Sequence, residues 1–213
     1  MSLHDMSRSR LLALGVGTIA LFVFSASTLS QCAAPEPTAM KAPSDGHVAS
    51  KAGNPEAVAA WNVIYSVLEH PRCMNCHPVN DAPLQGDQSS AHQQNVQRGP
   101  DGHGLYAMKC QTCHQDHNLV GEHMPPGGPD WHLPKPEMKL VFEGRSSHEL
   151  CEQLKDRKRN DNHSMVEIFD HLDHAPLVLW GWDPGNGRTP VPVSHADLMK
   201  AVRTWIDNDC GCP

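Results

Sequence analysis

The chain has 213 residues and a formal charge of −7; 39% of it is apolar and 5% aromatic, with 18 Pro, 16 Gly, 15 His and 8 Cys. That length holds one domain with a leader, and so thin a core calls for disulfides, metal or an embedded cofactor to support it. The acidic balance excludes nucleic acid as the expected partner and favours docking to a basic protein surface.

Arg8 and Arg10 precede an apolar run over residues 11–24, and Leu29-Ser30-Gln31-Cys32 follows. The run is shorter than the roughly 20 residues that span a bilayer, and a basic start before it marks a secretory signal. Residues 1–31 are therefore expected to be a signal peptide that sends the chain to the periplasm. Without them, 15 basic residues face 23 acidic ones. Cys32 is the candidate lipidation site, because Leu29 precedes it as in bacterial lipoprotein signals, and a lipidated Cys32 implies membrane association. Gln31 departs from the small residue expected there, so ordinary cleavage nearby is the alternative. Residues 32–53, rich in Ala, Pro, Ser, Lys and Gly, read as a flexible linker. The folded domain is expected over residues 54–213.

Asn54-Pro55-Glu56 supplies a cap, a first-turn proline and a first-turn acid, and Val58, Trp61, Tyr65 and Leu68 then recur at helical spacing until Pro71. Cys73-Met74-Asn75-Cys76-His77 follows at once, and Cys110-Gln111-Thr112-Cys113-His114 repeats the CxxCH pattern. The spacing suits two thiols that add to the vinyl groups of one porphyrin while the next residue lies beneath the iron. Two haem c groups are thus expected, on Cys73, Cys76, Cys110 and Cys113, with His77 and His114 as iron ligands. A redox disulfide would call for an alternating β/α pattern, which is missing; one structural zinc would leave the paired His placement unexplained.

The sixth ligand of each iron decides between electron transfer and chemistry at an open site. His92, between the motifs, and His132, beside Trp131, are the first candidates; His171, His103, His123 and Met138 are reserves, and Met124 is a second thioether candidate. Residues 71–136 are punctuated by Pro, Gly, Asn and Asp with no sustained period. Helical signals return with Ser146/Glu149, Ser164/Glu167 and Ser194/Asp197, each ahead of apolar residues at helical spacing. No strand alternation is visible, so the expected fold is mostly α and loop-rich, a few helices packed around two covalent haems. Trp180 and Trp182 are expected to pack against a porphyrin edge.

Cys151, Cys210 and Cys212 remain. Cys151 with Cys212 would staple the chain end to a helix in an oxidising compartment, and Cys151 with Cys210 or Cys210 with Cys212 are the alternatives. The expected function is electron transfer from a dehydrogenase to a respiratory acceptor. The rival reading is a dihaem peroxidase with one open iron and Glu122 or His123 as acid–base group.

The segments RCMNCHP (72–78), HQQNVQRG (92–99), MKCQTCHQ (108–115), MPPGGPDWHLPKPEM (124–138), LCEQLKD (150–156), LVLWGWDPG (177–185) and the final Cys212-Pro213 resemble small exported bacterial dihaem proteins known as isoquinoline oxidoreductase subunits. The resemblance implies an electron-acceptor role beside a larger dehydrogenase, such as a molybdenum hydroxylase, and places His92, His132 and His171 within or near family-like segments. Asp161-Asn162-His163-Ser164 departs from the Gly-Gly-Arg-like turn expected there.

Overall fold

Asn54 opens the first helix, α1 (Pro55–Leu68), by accepting a hydrogen bond from the Ala57 amide at 2.8 Å. Pro55 occupies the first turn, where no intrahelical amide partner is needed. The computed structural model describes residues 54–213; the segments expected to be a signal peptide and a linker, with Cys32, lie outside the described residues. His70 caps the short α2 (Pro71–Met74), which carries Cys73. Two small hairpins follow: β1 (Leu84–Gln85) with β2 (Ser90–Ala91), and β3 (Gly104–Leu105) with β4 (Met108–Lys109), both antiparallel. These two-residue ladders are too short to leave an alternating pattern in the sequence, which is why no strand was expected.

The late helices obey their caps. Ser146 and Glu149 close a reciprocal capping box on α3 (Ser147–Lys155), and Ser164 and Glu167 close another on α4 (Met165–His174). A short α5 (Pro176–Leu179) runs into a tight turn over Trp180–Trp182. Ser194 caps α6 (His195–Asp207) by accepting from the Asp197 amide at 3.1 Å. The described chain is mostly α and rich in ordered loops. At the turn where a Gly-Gly pair was expected, Asp161 and Asn162 take φ of 62° and 60°, a left-handed conformation that Asp and Asn tolerate better than most residues.

The core joins the two ends of this domain. Trp61, Ile64 and Val67 of α1 pack with Leu198, Val202 and Trp205 of α6, the two indoles 5.0 Å apart and tilted by 42°. Each buried side chain of this size contributes about 1.5–3 kcal/mol by leaving water. Leu150, Cys151 and Leu154 bring α3 into the same cluster, and Trp61 Nε1 donates to the Ser147 carbonyl at 3.1 Å. Cys151 and Cys212 are joined in a disulfide, while Cys210 is a free, buried thiol. With α1, α3 and α6 supplying the packing, residues 71–142 and the α4–α5 segment are left to build the site around it.

Candidate functional site

Both CxxCH motifs fold into a single helical turn. In the first, the Cys76 amide donates to the Cys73 carbonyl at 3.2 Å and the His77 amide to Met74 at 3.0 Å. In the second, the Cys113 and His114 amides both donate to the Cys110 carbonyl, at 3.1 and 2.9 Å. Positions i, i+3 and i+4 share one face of a helix, so each pair of thiols and its histidine are presented together. All four thiols are free. Among the described residues, His103, Asp130 and His132 form a group of three metal-ligating side chains with converging donor atoms.

Each motif histidine is held in the same manner. His77 Nδ1 lies 2.8 Å from the Leu140 carbonyl, and His114 Nδ1 lies 2.7 Å from the Pro126 carbonyl. A carbonyl only accepts, so Nδ1 carries the proton in both rings and the Nε2 lone pair is left free to bind a metal. Aromatic neighbours hold the ring planes: Phe142 stacks on His77 at 3.9 Å and 14°, and Trp131 on His114 at 4.6 Å and 1°. Trp180 meets Trp131 edge-on at 5.1 Å. Trp182 points elsewhere, donating from Nε1 to the Val193 carbonyl at 2.7 Å.

The first motif is half-buried. Cys73, Cys76 and His77 keep part of their surface accessible, yet protein crowds around them. Burial, then the neighbouring Cys76, pushes the Cys73 thiol up to about 12, against the opposing pull of Arg72. Burial, then Cys110, pushes the Cys76 thiol up to about 11. The two motifs are therefore near enough for a charge on one to register on the other. Burial brings His77 down to about 4; the bond to Leu140 opposes this, and the charges of His171 and Arg98 add to it.

Arg98 ties the motif loops together from a fully buried position. Its guanidinium donates to the carbonyls of Pro134 and Asn80, and its Nε lies 3.4 Å from Asp81. Its amide donates to the Asp81 carbonyl at 2.6 Å, and its own carbonyl accepts from Gly104 at 2.9 Å. The loop after His77 is thereby pinned to the hairpin that leads into Cys110. Gly104, at φ 90°, sits where a Cβ would come within 2.4 Å of the Met108 carbonyl, so this approach needs glycine.

The expected second ligands fall into different places. The His92 ring lies 6.3 Å from that of His114, at 68° to it, and His92 Nδ1 is buried without a hydrogen-bond partner. His171, on α4, lines a cleft of about 390 Å³ with His163, Glu167, Asp170, His174 and Ala175. Its side chain is exposed, yet crowding by nearby protein atoms lowers its pKa, helped by His163 and His132. His132 stacks on His103 at 5.0 Å and 24°. Glu122 and His123 are exposed; Met138 is half-buried in the turn over Pro136–Met138, and Met124 contributes its carbonyl to Arg188 at 2.5 Å.

Sequence reasoning missed Arg98, Phe142 and the two carbonyl partners at Pro126 and Leu140. A carbonyl has no side-chain signature; the run of prolines from Pro125 to Pro136, which stiffens the chain opposite the second motif, was the available hint. Comparison of the chain with protein-family models, with curated proteins and with solved structures finds no match.

Proposed function

We propose that this chain is an exported c-type cytochrome with two covalent haems, which takes electrons from a dehydrogenase and passes them to a respiratory acceptor. The observation that carries this reading is the device repeated at His77 and His114. Each follows a pair of free thiols on one helical turn, and each has Nδ1 engaged by a carbonyl so that Nε2 is free. A haem attached at each motif supplies a one-electron iron couple.

In this reading Cys73 and Cys76 hold the first haem through thioethers and Cys110 and Cys113 the second, with His77 and His114 as iron ligands. His92 is the second ligand on the His114 side. The His92 ring lies 6.3 Å from that of His114 and its Nδ1 is buried without a hydrogen-bond partner, so the two imidazoles would together hold one iron. On the His77 side we propose His171 as the second ligand in place of His132, because His132 is held against His103 and Asp130 while His171 lines an open cleft on α4. Met165, Phe169 and Leu172 of α4 pack against the core, with the Arg203 guanidinium over the Phe169 ring, and this packing fixes the helix that carries His171.

Arg72 and Arg98, both buried and both felt at Cys76, supply positive charge for propionate carboxylates. With a second imidazole at each iron no position would be open for peroxide, which would suit a carrier better than a peroxidase. Residues 1–31 direct export to the periplasm, and Cys32 is the anchor point in the lipidated form.

The test is a reduced pyridine haemochrome spectrum with intact mass, on protein from cells that mature c-type cytochromes. Two covalent haems per chain are expected, and one in each of Cys73→Ala and Cys110→Ala. Colourless protein would overturn the reading, and rapid peroxide turnover with carbon monoxide binding by the reduced wild type would replace the carrier with a peroxidase.

A further inference from the structure

We infer that His103, Asp130 and His132 form a binding site for a divalent transition-metal ion of the zinc type, beside the second motif but outside it. Their donor atoms all lie within 4.8 Å of one another. His103 Nδ1 is 3.0 Å from the Asp101 carbonyl, which can only accept, so its proton sits there and Nε2 presents a lone pair. That Nε2 faces Asp130 Oδ1 at 3.0 Å. Two acceptors at this distance need a positive charge with them, either a second proton on the ring or a metal ion bound by both.

His132 favours the ion. Its Nδ1 lies 2.5 Å from the Asp130 carbonyl and 3.4 Å from Asp130 Oδ2, which places the ring against the carboxylate and leaves Nε2 without the proton. The two imidazoles stack at 5.0 Å and 24°, so both rings stand beside the carboxylate. A tetrahedral ion with bonds of about 2.0–2.1 Å places its donors roughly 3.3 Å apart, close to the His103–Asp130 separation. Two imidazoles and one carboxylate, with the last position left to water, make a donor set that suits borderline-soft divalent cations.

The scaffold supports the set. Both rings have the outer hydrogen bond that orients a metal-binding histidine. The Leu133 amide donates to the Gly102 carbonyl at 2.9 Å, tying the loop of His103 to the loop of Asp130 and His132. Lys109 pairs with Asp101 at 3.2 Å, so Asp130 is the carboxylate left for the ion. All three side chains are partly open to solvent, which gives an ion a way in. Trp131, between two of the ligands, stacks on His114; under the haem reading, a bound dication would therefore raise the potential of the second haem.

Calorimetric titration of the haem-loaded full chain with ZnCl2 tests the site. Saturable binding of one ion is expected, weakened by roughly tenfold or more in His103→Ala and in Asp130→Asn, and unchanged in His174→Ala, which alters the separate cleft on α4. The absorption spectrum of His132→Ala should stay that of the wild type; conversion of one haem to a high-spin form would make His132 an iron ligand and overturn the proposal. Absence of saturable binding, or binding indifferent to His103→Ala and Asp130→Asn, would also overturn it, leaving His103 as a protonated partner of Asp130. Chain without haem would sink the proposed function alone, since the same comparison of wild type with Asp130→Asn, made after alkylation of the thiols, still decides this site.

Discussion

Replacing both Cys151 and Cys212 by Ala should cost this domain about 4 kcal/mol. The disulfide closes a loop with a sequence separation of 61, which contains α4, α5 and α6. In the chain-entropy treatment, cross-linking a loop of that length removes about 14 cal/mol/K from the unfolded ensemble, or about 4 kcal/mol at room temperature. The double variant is the right perturbation, because Cys210 is also buried nearby and, with Cys212 alone removed, would be free to pair with Cys151. Urea unfolding followed by tryptophan fluorescence and far-ultraviolet circular dichroism gives the free energy. A loss below about 1 kcal/mol at unchanged denaturant slope would refute the reasoning, by showing that the unfolded chain is already constrained without the link.

The other predictions address the site. Under the proposed haem reading, His92→Ala should leave two haems per chain but convert one to a high-spin form that binds carbon monoxide, as read in the absorption spectrum; a wholly low-spin spectrum would remove His92 from the proposed ligands. Gly102→Ala should destabilise the domain by about 2 kcal/mol or more in urea unfolding, since its φ is 85° and a Cβ would lie 2.1 Å from the Leu133 carbonyl. Burial pushes the Cys210 thiol up to about 12, so it stays protonated below that pH and should resist iodoacetamide at pH 8 in the native state, reacting only after urea is added, as mass spectrometry would show.

Much of the fold could be read locally. Ser146, Ser164 and Ser194 mark three helix starts, because a hydroxyl that accepts from an amide three residues ahead satisfies a donor the helix cannot. Pro55 marks another for the converse reason, a missing amide that costs nothing in a first turn, whereas Pro71, read as the end of the first helix, also opens the short α2. The hairpins left no mark, since pairs of bonded residues such as Gly104–Leu105 with Met108–Lys109 carry no period. The expectation for Asp161 and Asn162 went astray in residue type only, because the turn keeps the left-handed backbone that glycine would supply.

By itself, then, the sequence determined what depends on neighbours within one turn: the thiol and histidine grouping at 73–77 and 110–114, the capped helices and the mostly α character. Folding alone decided which partner each of those groups meets across the chain. The carbonyls on His77 and His114 come from residues 63 and 12 positions away. Cys151 takes Cys212 over Cys210, His92 comes to face His114, and His132 is drawn to His103 and Asp130. Such pairings rest on the packing of α1 against α6 and on loops pinned by one buried arginine, Arg98, and pattern along the chain carries no record of distances across it.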